Sequence, residues 1–232
     1  MEVSALHRLF PMRWHDVVIS GAQSGSHLQF VRNITQDLLG REVRETEAKE
    51  WLDQIATGSS FSSIVSCLLH SQERRERIIV DYYHRFLDRA PNQDGLQLWT
   101  GLLALGKSYD EILVAILSSN EYFGRAGATH EGFVRGLIRD AFQRKPHEME
   151  IDSWVGFLNS LSATREAVAL DFVTHREFRA SLIKEWFKKF LKRNPDPVNM
   201  RESLTRLDHG HSLEEIQRDI LVGQEYLDRL AK

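Results

Sequence analysis

Apolar side chains recur along this chain at intervals of three and four residues, which is the spacing of one face of an α-helix. The clearest runs are Tyr82, Tyr83, Phe86 and Leu87, and later Trp186, Phe187, Phe190 and Leu191. No segment alternates apolar and polar residues with the two-residue period of a β-strand. The pattern therefore predicts an all-α fold.

The helical pattern repeats with a period of about 50 residues. Each copy has an arginine, and a glutamate 32 or 33 residues after it. Three copies also have a tryptophan ten residues after the arginine. The arginines are Arg41, Arg89, Arg144 and Arg193; the tryptophans are Trp51, Trp99 and Trp154, with Ser203 in the fourth copy; the glutamates are Glu73, Glu121, Glu177 and Glu225.

A hydroxyl residue precedes each glutamate by thirteen positions and stands before an apolar run. Such a side chain accepts a hydrogen bond from a free backbone N–H at the start of a helix, so each is a predicted N-cap. The four residues are Ser60, Ser108, Thr164 and Ser212, and a glutamate three positions after Ser108 and Ser212 completes a capping box.

These signals predict four tandem helical repeats of about three helices each, arranged as two lobes. Three glycines make 124–132 the best candidate for a linker between lobes, since the other repeat junctions have no such break. The predicted domains are an N-terminal arm at 1–27, repeats 1 and 2 at 28–123, the linker, and repeats 3 and 4 at 133–232.

Composition limits the classes of function. The chain has 232 residues and a net charge of −3, so no overall positive field favours nucleic acid. Cys67 is the only cysteine, which excludes an intramolecular disulfide and a multi-cysteine zinc site. No stretch has the length of a membrane span, and residues 1–20 lack the apolar core of a classical signal peptide. We expect a cytoplasmic protein, or one exported by another route.

The stretch FLDRAPNQDGLQLW resembles a calcium loop, because Asn92, Asp94 and Gly95 match part of an EF-hand. With Gly95 at loop position six, the first and last positions fall on Ala90 and Gly101, which have no carboxylate. The stretch is therefore interpreted as a turn, with Asn92 or Asp94 capping the next helix. No metal site and no cofactor are predicted.

The recurring arginines and glutamates are candidates for anion sites or for structural anchors. A guanidinium group after a helix can bond turn carbonyls and also pair with the glutamate that ends the last helix of its own or a neighbouring repeat. We interpret them as structural anchors, and the tryptophans as core anchors rather than as a platform for a sugar or cofactor.

One helix carries a candidate partner surface. Lys184, Lys188 and Lys192 follow a four-residue spacing, and Lys189 and Arg193 widen this stripe. A basic face of this kind suits an acidic protein or an anionic membrane surface, and a solvated helix side is the alternative.

No catalytic motif is present. The histidines show neither an HExxH pair nor a zinc-ligand spacing, and the chain has no phosphate-binding glycine loop or nucleophile elbow. We therefore expect a protein that is not an enzyme and has no identified small-molecule substrate.

The repeat most strongly resembles a known family over residues 82–123. Its small residue and arginine, proline turn, Gly-Leu-x-x-Trp, Gly-x-Ser and Ser-x-Glu-Tyr elements resemble the domain of unknown function family 4214. LLGR at 38–41 and the Ser-x-Glu-Tyr element also resemble phycobilisome linker domains. The resemblance implies a helical fold, a bacterial protein and a binding or scaffolding role, with no established catalytic residues.

The expected function is a non-catalytic helical scaffold or adaptor that binds protein partners, since stacked helical repeats present extended surfaces. Two alternatives remain. One is a ligand-binding or enzymatic protein that uses a cleft between the lobes. The other, which follows from the resemblance, is a linker that binds pigment-proteins.

Overall fold

The computed structural model describes residues 23–160 and 163–230, which form helices and turns without a β-strand. The all-α prediction is confirmed. The predicted arm 1–27 falls outside the described residues up to position 22, and its last five positions belong to the first helix. The helices are α1 Gln23–Leu39, α2 Glu45–Ala56, α3 Phe61–Leu69, α4 Gln72–Tyr82, α5 Gln93–Ala104, α6 Tyr109–Ser118, α7 Asn120–Arg125, α8 His130–Phe142, α9 Glu148–Leu158, α10 Arg165–Thr174, α11 Arg176–Trp186, α12 Pro197–Asp208, α13 Leu213–Val222 and α14 Gln224–Leu230.

The four predicted N-caps begin α3, α6, α10 and α13. Each hydroxyl oxygen accepts a hydrogen bond from the backbone N–H three residues later. Both predicted capping boxes are also present, in the turns that begin α6 and α13. Local hydrogen bonds thus begin these helices where the sequence places them.

Two helices end in a wider π-helical turn. Tyr83–Leu87 continues α4, and Phe187–Leu191 continues α11. Residues 72–87 and 176–191 contain no glycine or proline, so each runs without a break. A helix of this length is about 24 Å long, at about 1.5 Å per residue.

The chain forms two compact units. Unit 2 is the continuous stretch Arg75–Leu182, and unit 1 combines 23–74 with 183–230. The core of unit 2 includes Phe133, Phe172 and Phe178, and α6 packs against α10. In unit 1, α3 packs against α13 and α1 against α14, so the two ends of the described chain share one core.

These units differ from the predicted lobes. Predicted repeats 2 and 3 form unit 2, and predicted repeats 1 and 4 form unit 1. The unbroken helices at 72–87 and 176–191 carry the chain out of one unit and into the other. The helix at 72–87 follows predicted repeat 1 and leads into predicted repeat 2, and the helix at 176–191 connects predicted repeats 3 and 4 in the same way. Because each helix continues without a turn, the two repeats that it connects belong to different units.

The predicted linker 124–132 lies inside unit 2, where it comprises the end of α7, the tight turn 126–129 and the start of α8. Gly127 and Ala128 have φ values of 95° and 56°, in the left-handed region. Gly132 also requires its small size, because an added Cβ would lie 2.0 Å from the carbonyl oxygen of Ala126. The glycines therefore allow predicted repeats 2 and 3 to pack together, rather than separate two lobes.

Candidate functional site

Each recurring arginine lies just beyond the end of a helix. The residue before it has a left-handed backbone in all four cases, which ends the helix and turns the chain. The residues are Gly40, Asp88, Gln143 and Lys192. This shared geometry brings every arginine to the same position relative to the helix that precedes it.

The structure pairs each arginine with the glutamate 32 or 33 residues later, namely Arg41 with Glu73, Arg89 with Glu121, Arg144 with Glu177 and Arg193 with Glu225. In every pair, Nε and Nη2 donate to the two carboxylate oxygens. For Arg144 the distances to Glu177 are 2.5 and 3.1 Å. A planar guanidinium group favours this two-point contact.

The glutamates begin a helix rather than end one, which corrects the sequence interpretation. Each lies in the first turn of α4, α7, α11 or α14. A carboxylate at this place interacts favourably with the positive end of the helix dipole. The Arg–Glu pairs therefore connect the end of one helix to the start of another.

A third group, six residues after the arginine, varies. Arg41 also binds Glu47, and Arg144 also binds Glu150 at 2.8 and 3.0 Å. Arg193 donates instead to the Asn199 amide oxygen. The second pair has Gly95 at this position, where Arg89 lies over the ring of Tyr83 at 4.9 Å.

These contacts change the ionisation of both partners. Hydrogen bonds from their own arginines lower the pKa of Glu73, Glu121 and Glu150. The carboxylates in turn raise the pKa of Arg41 and Arg144, so both guanidinium groups stay charged. The pairs are thus committed to each other rather than available to a separate anion.

The lowered pKa values predict a loss of stability in acid. The folded pKa lies below the unfolded value of about 4.3, so the contribution is complete above that pH. It is lost as the pH falls through the folded pKa. We expect the urea midpoint to decrease more steeply below about pH 4.3 in the wild type than in Glu150→Gln, whose amide does not titrate. Equal slopes in urea titrations followed by circular dichroism would contradict this.

The predicted tryptophan anchors are partly buried against the two cores. Trp99 Nε1 donates to the Tyr83 hydroxyl at 2.9 Å. Trp154 lies 5.2 Å from the ring of Phe172, and Trp51 packs on the core of unit 1. The tryptophans therefore connect their short helices to the cores.

The calcium-like loop is an N-cap. Asn92 begins α5, and its Oδ1 accepts from the backbone N–H of Gly95 at 3.0 Å. This contact commits Asn92 to the helix start, as the sequence interpretation of the turn expects.

Two helices of unit 2 expose apolar side chains that the sequence interpretation missed. Leu98 of α5 is 55% exposed, and Leu105, which caps the end of that helix, is 84% exposed. On α9, Met149 is 85% exposed and Phe157 is 46% exposed. The signal was the even distribution of leucines around α5, since a helix that is apolar on all sides has a face that its own core does not cover.

Each of these faces also contains a glycine, Gly101 on α5 and Gly156 on α9, two residues after the tryptophan. Apart from the adjacent residues and the nearby backbone of the same helix, no described atom lies within 4 Å of a Cβ added at either position. Packing within the described chain therefore does not require glycine there. We call Leu98, Gly101 and Leu105 the exposed face of α5, and Met149, Gly156 and Phe157 the exposed face of α9.

Comparison with known protein families identifies the part of the chain that carries these faces. Residues 75–126 and 122–182 each match the model of the family described as Domain of unknown function (DUF4214). These two segments of the chain are similar to the DUF4214 family. The two matches together span 75–182, which are also the limits of unit 2. Neither the curated proteins nor the solved structures include a match to this chain.

The DUF4214 matches confirm the first part of the resemblance, and the relation to phycobilisome linkers stays a prediction. Unit 2 holds both DUF4214 segments, together with two of the Arg–Glu pairs and the exposed faces of α5 and α9. Unit 1 carries the same spacing of arginine and glutamate outside the DUF4214 matches.

The predicted basic surface lies in unit 1, outside the DUF4214 segments, and is smaller than expected. Lys184, Lys188 and Lys189 are exposed. Lys192 lies beyond the helix end, where its Nζ donates to the carbonyl of Lys189 at 2.8 Å. Arg193 is held by its own glutamate. The π-helical turn changes the four-residue spacing on which the predicted stripe depends.

An open, polar groove of about 440 Å³ lies in unit 1, between the end of α3 and the start of α13. Its lining includes His70, Ser212 and Arg218. Ser212 already caps α13, and His70 Nδ1 lies 2.7 Å from the carbonyl oxygen of Ser66. We interpret the groove as a solvated junction between two helices, and it lies outside the DUF4214 segments.

Across 23–160 and 163–230, no group of three or more histidine, cysteine, aspartate or glutamate side chains is placed to hold a metal ion. Within the same described ranges, no helix has the length and apolar character needed to cross a membrane.

Proposed function

We propose that the chain is a non-catalytic helical scaffold or adaptor that binds a protein partner through unit 2. The observation that carries this proposal is the pair of exposed faces on α5 and α9. Each lies on the tryptophan-bearing helix of its DUF4214 segment, and each has a glycine two residues after the tryptophan. A module whose function is to bind another protein needs such a surface and needs no reaction centre.

We further propose that the chain contains four copies of one helical unit, two of which have diverged beyond the family model. The four Arg–Glu pairs support this, because the donor and acceptor atoms are the same in every pair. In every pair, the residue before the arginine also has a left-handed backbone conformation. The four N-caps at a fixed distance before the glutamates add an independent match. Helical repeat proteins commonly present extended surfaces that bind partners.

Exposed apolar area favours a protein partner. Exposed apolar side chains that form a contiguous patch on a soluble protein mark interaction sites. Leu98 and Leu105 flank Gly101 on α5, one turn before it and one turn after it. The missing side chain allows a partner backbone to approach, and the leucines lose water on contact.

The differences between the units support the same choice. Asp53 and Thr205, both exposed, stand in unit 1 where Gly101 and Gly156 stand in unit 2, twelve residues after their arginines. Since the architecture needs no glycine at this position, its presence in unit 2 calls for a different reason. A contact with a partner is such a reason.

Alanine at Gly101 or Gly156 is expected to raise the free energy of unfolding by about 0.5–1 kcal/mol, because glycine weakens a helix interior. The same change is expected to weaken partner binding, since the added methyl group occupies the approach path. Thermal melting checks the first effect and calorimetric titration of the purified partner checks the second. A rise in stability with unchanged binding would show that the glycines face solvent only.

Site-specific photo-crosslinking tests the proposed function. A benzophenone amino acid is placed at position 101 or 156, and at 53 or 205 as matched controls on the equivalent helices of unit 1. We expect one protein adduct from positions 101 and 156, and no such adduct from the controls. The double variant Leu98→Ser/Leu105→Ser should remove the adduct at position 101. Equal adducts from all four positions, or none from 101 and 156, would contradict the proposal.

The other two functional interpretations predict different outcomes of the same experiment. A pigment-protein partner predicts a coloured adduct. A ligand-binding or enzymatic protein without a protein partner predicts no adduct from any of the four positions. The adduct therefore separates an ordinary protein partner from a linker-type one.

A further inference from the structure

We infer that a buried polar pair, Arg74 and Gln217, selects which segments of the chain associate to form unit 1. Arg74 is 8% exposed near the start of α4, and Gln217 is 4% exposed in α13. Arg74 Nη2 donates to Gln217 Oε1 at 3.4 Å, and its Nη1 donates to the Leu38 carbonyl at 2.8 Å. The pair joins residues 143 positions apart.

The corresponding positions of unit 2 are apolar. Phe178 stands where Arg74 does, one residue after the glutamate of its Arg–Glu pair. Leu113 stands where Gln217 does, five residues after the N-cap of its helix. Both are buried in the core of unit 2. The two equivalent positions are thus polar in unit 1 and apolar in unit 2.

One other long-range contact is the same in both units and does not distinguish them. In unit 1, the Tyr226 hydroxyl donates to Asp37 Oδ2 at 2.7 Å. In unit 2, the Tyr122 hydroxyl donates to Asp140 Oδ2 at 3.0 Å. Segments that exchanged between the units would still form this contact, so selection needs a position at which the units differ.

An exchange of segments would disrupt both interiors. If 23–74 associated with α6, Arg74 would meet Leu113 instead of its amide acceptor, and Gln217 would be left to meet Phe178. A buried guanidinium or amide group without its partner is strongly unfavourable. A buried polar pair selects partners in coiled coils by the same principle.

This selection matters because unit 1 is assembled from distant parts of the chain. During folding, each of its two segments can meet a segment of unit 2 instead of its own partner, either in the same chain or in a second copy of the chain. The inference is independent of the proposed partner surface, because neither residue lies on the exposed faces of α5 and α9.

The test converts the polar pair into the apolar pair of unit 2. Full-length wild type and Arg74→Phe/Gln217→Leu are labelled at the single, exposed Cys67, with donor on one batch and acceptor on another. Mixtures are refolded from urea at micromolar concentration, and exchanged dimers are counted by size exclusion and energy transfer. We expect about tenfold more dimer from the double variant, since the mismatch that opposes exchange is gone.

A second variant moves the polar pair to the other unit by adding Phe178→Arg and Leu113→Gln to the double variant. The units again differ, so we expect the dimer fraction to return towards the wild-type value. A double variant that refolds with the wild-type dimer fraction overturns the inference. A double variant that does not refold also overturns it, because the pair would then be required for folding itself rather than for selection.

Discussion

Phe172→Ala is expected to lower the free energy of unfolding by about 3–5 kcal/mol, more than the loss of any one Arg–Glu pair. Phe172 is 1% exposed and stacks on Phe142 with 4.9 Å between ring centroids. It also contacts Trp154 at 5.2 Å, so the ring joins α8, α9 and α10. Its removal leaves a cavity that three helices have to close.

Urea unfolding measures this effect, with two controls. Phe172→Leu fills most of the space and should cost about 1 kcal/mol. Phe157→Ala removes a ring from the exposed face of α9 and should cost no more than about 0.5–1 kcal/mol. Equal losses from Phe172→Ala and Phe157→Ala would show that Phe172 does not lie in the core.

Arg144→Ala is expected to cost about 2 kcal/mol, even after allowance for partial exposure of the pair. Arg144 bonds four carboxylate oxygens, two from Glu177 and two from Glu150, and also the Lys145 carbonyl. Arg89→Ala should cost only about 1 kcal/mol, because Arg89 binds a single carboxylate and is more exposed.

Arg135 provides the matched control for this prediction. It also contacts two glutamates, Glu131 and Glu148, but their side chains are 60% and 74% exposed. Thermal melting should show no measurable change for Arg135→Ala. Arg144→Lys should recover little, since an ammonium group lacks the planar fork. If Arg144→Ala has the same melting temperature as the wild type, the Arg–Glu pairs are not structural anchors.

Much of the local structure was predictable because it depends on short-range chemistry. A hydroxyl residue directly before an apolar helical run predicts a helix start, because its oxygen can accept a hydrogen bond from the backbone N–H three residues later. The caps at Ser60 and Thr164 are where the sequence predicts them. The constant 32- or 33-residue spacing likewise relates each arginine to its glutamate, although the helix to which the glutamate belongs was predicted wrongly.

The grouping of segments was not predictable from local signals. Glycines at 124–132 are equally typical of a flexible linker and of a tight turn, and only the close approach of Gly132 to Ala126 distinguishes them. The segments of unit 1 meet through residues such as Leu38, Arg74 and Gln217, which are far apart in sequence. A single sequence carries no sign of such long-range pairs.

The candidate surface was missed for a related reason. A leucine on a helix reads as a core residue until its neighbours are known, and Leu98 and Leu105 lie on the side of α5 opposite buried Leu103. The four-residue spacing of the predicted basic stripe assumed a regular α-helix through Phe187–Leu191, where the helix widens.

Central to the fold is the association of the two ends of the described chain in one unit. A double-mutant cycle on Asp37→Ala and Tyr226→Phe tests it most directly, since these residues are 189 positions apart and their side chains lie 2.7 Å apart. The cycle on Asp140→Ala and Tyr122→Phe is the reference within unit 2. We predict a coupling of about 1–2 kcal/mol in both cycles. Coupling between Asp140 and Tyr122 with none between Asp37 and Tyr226 would contradict the association of the two ends.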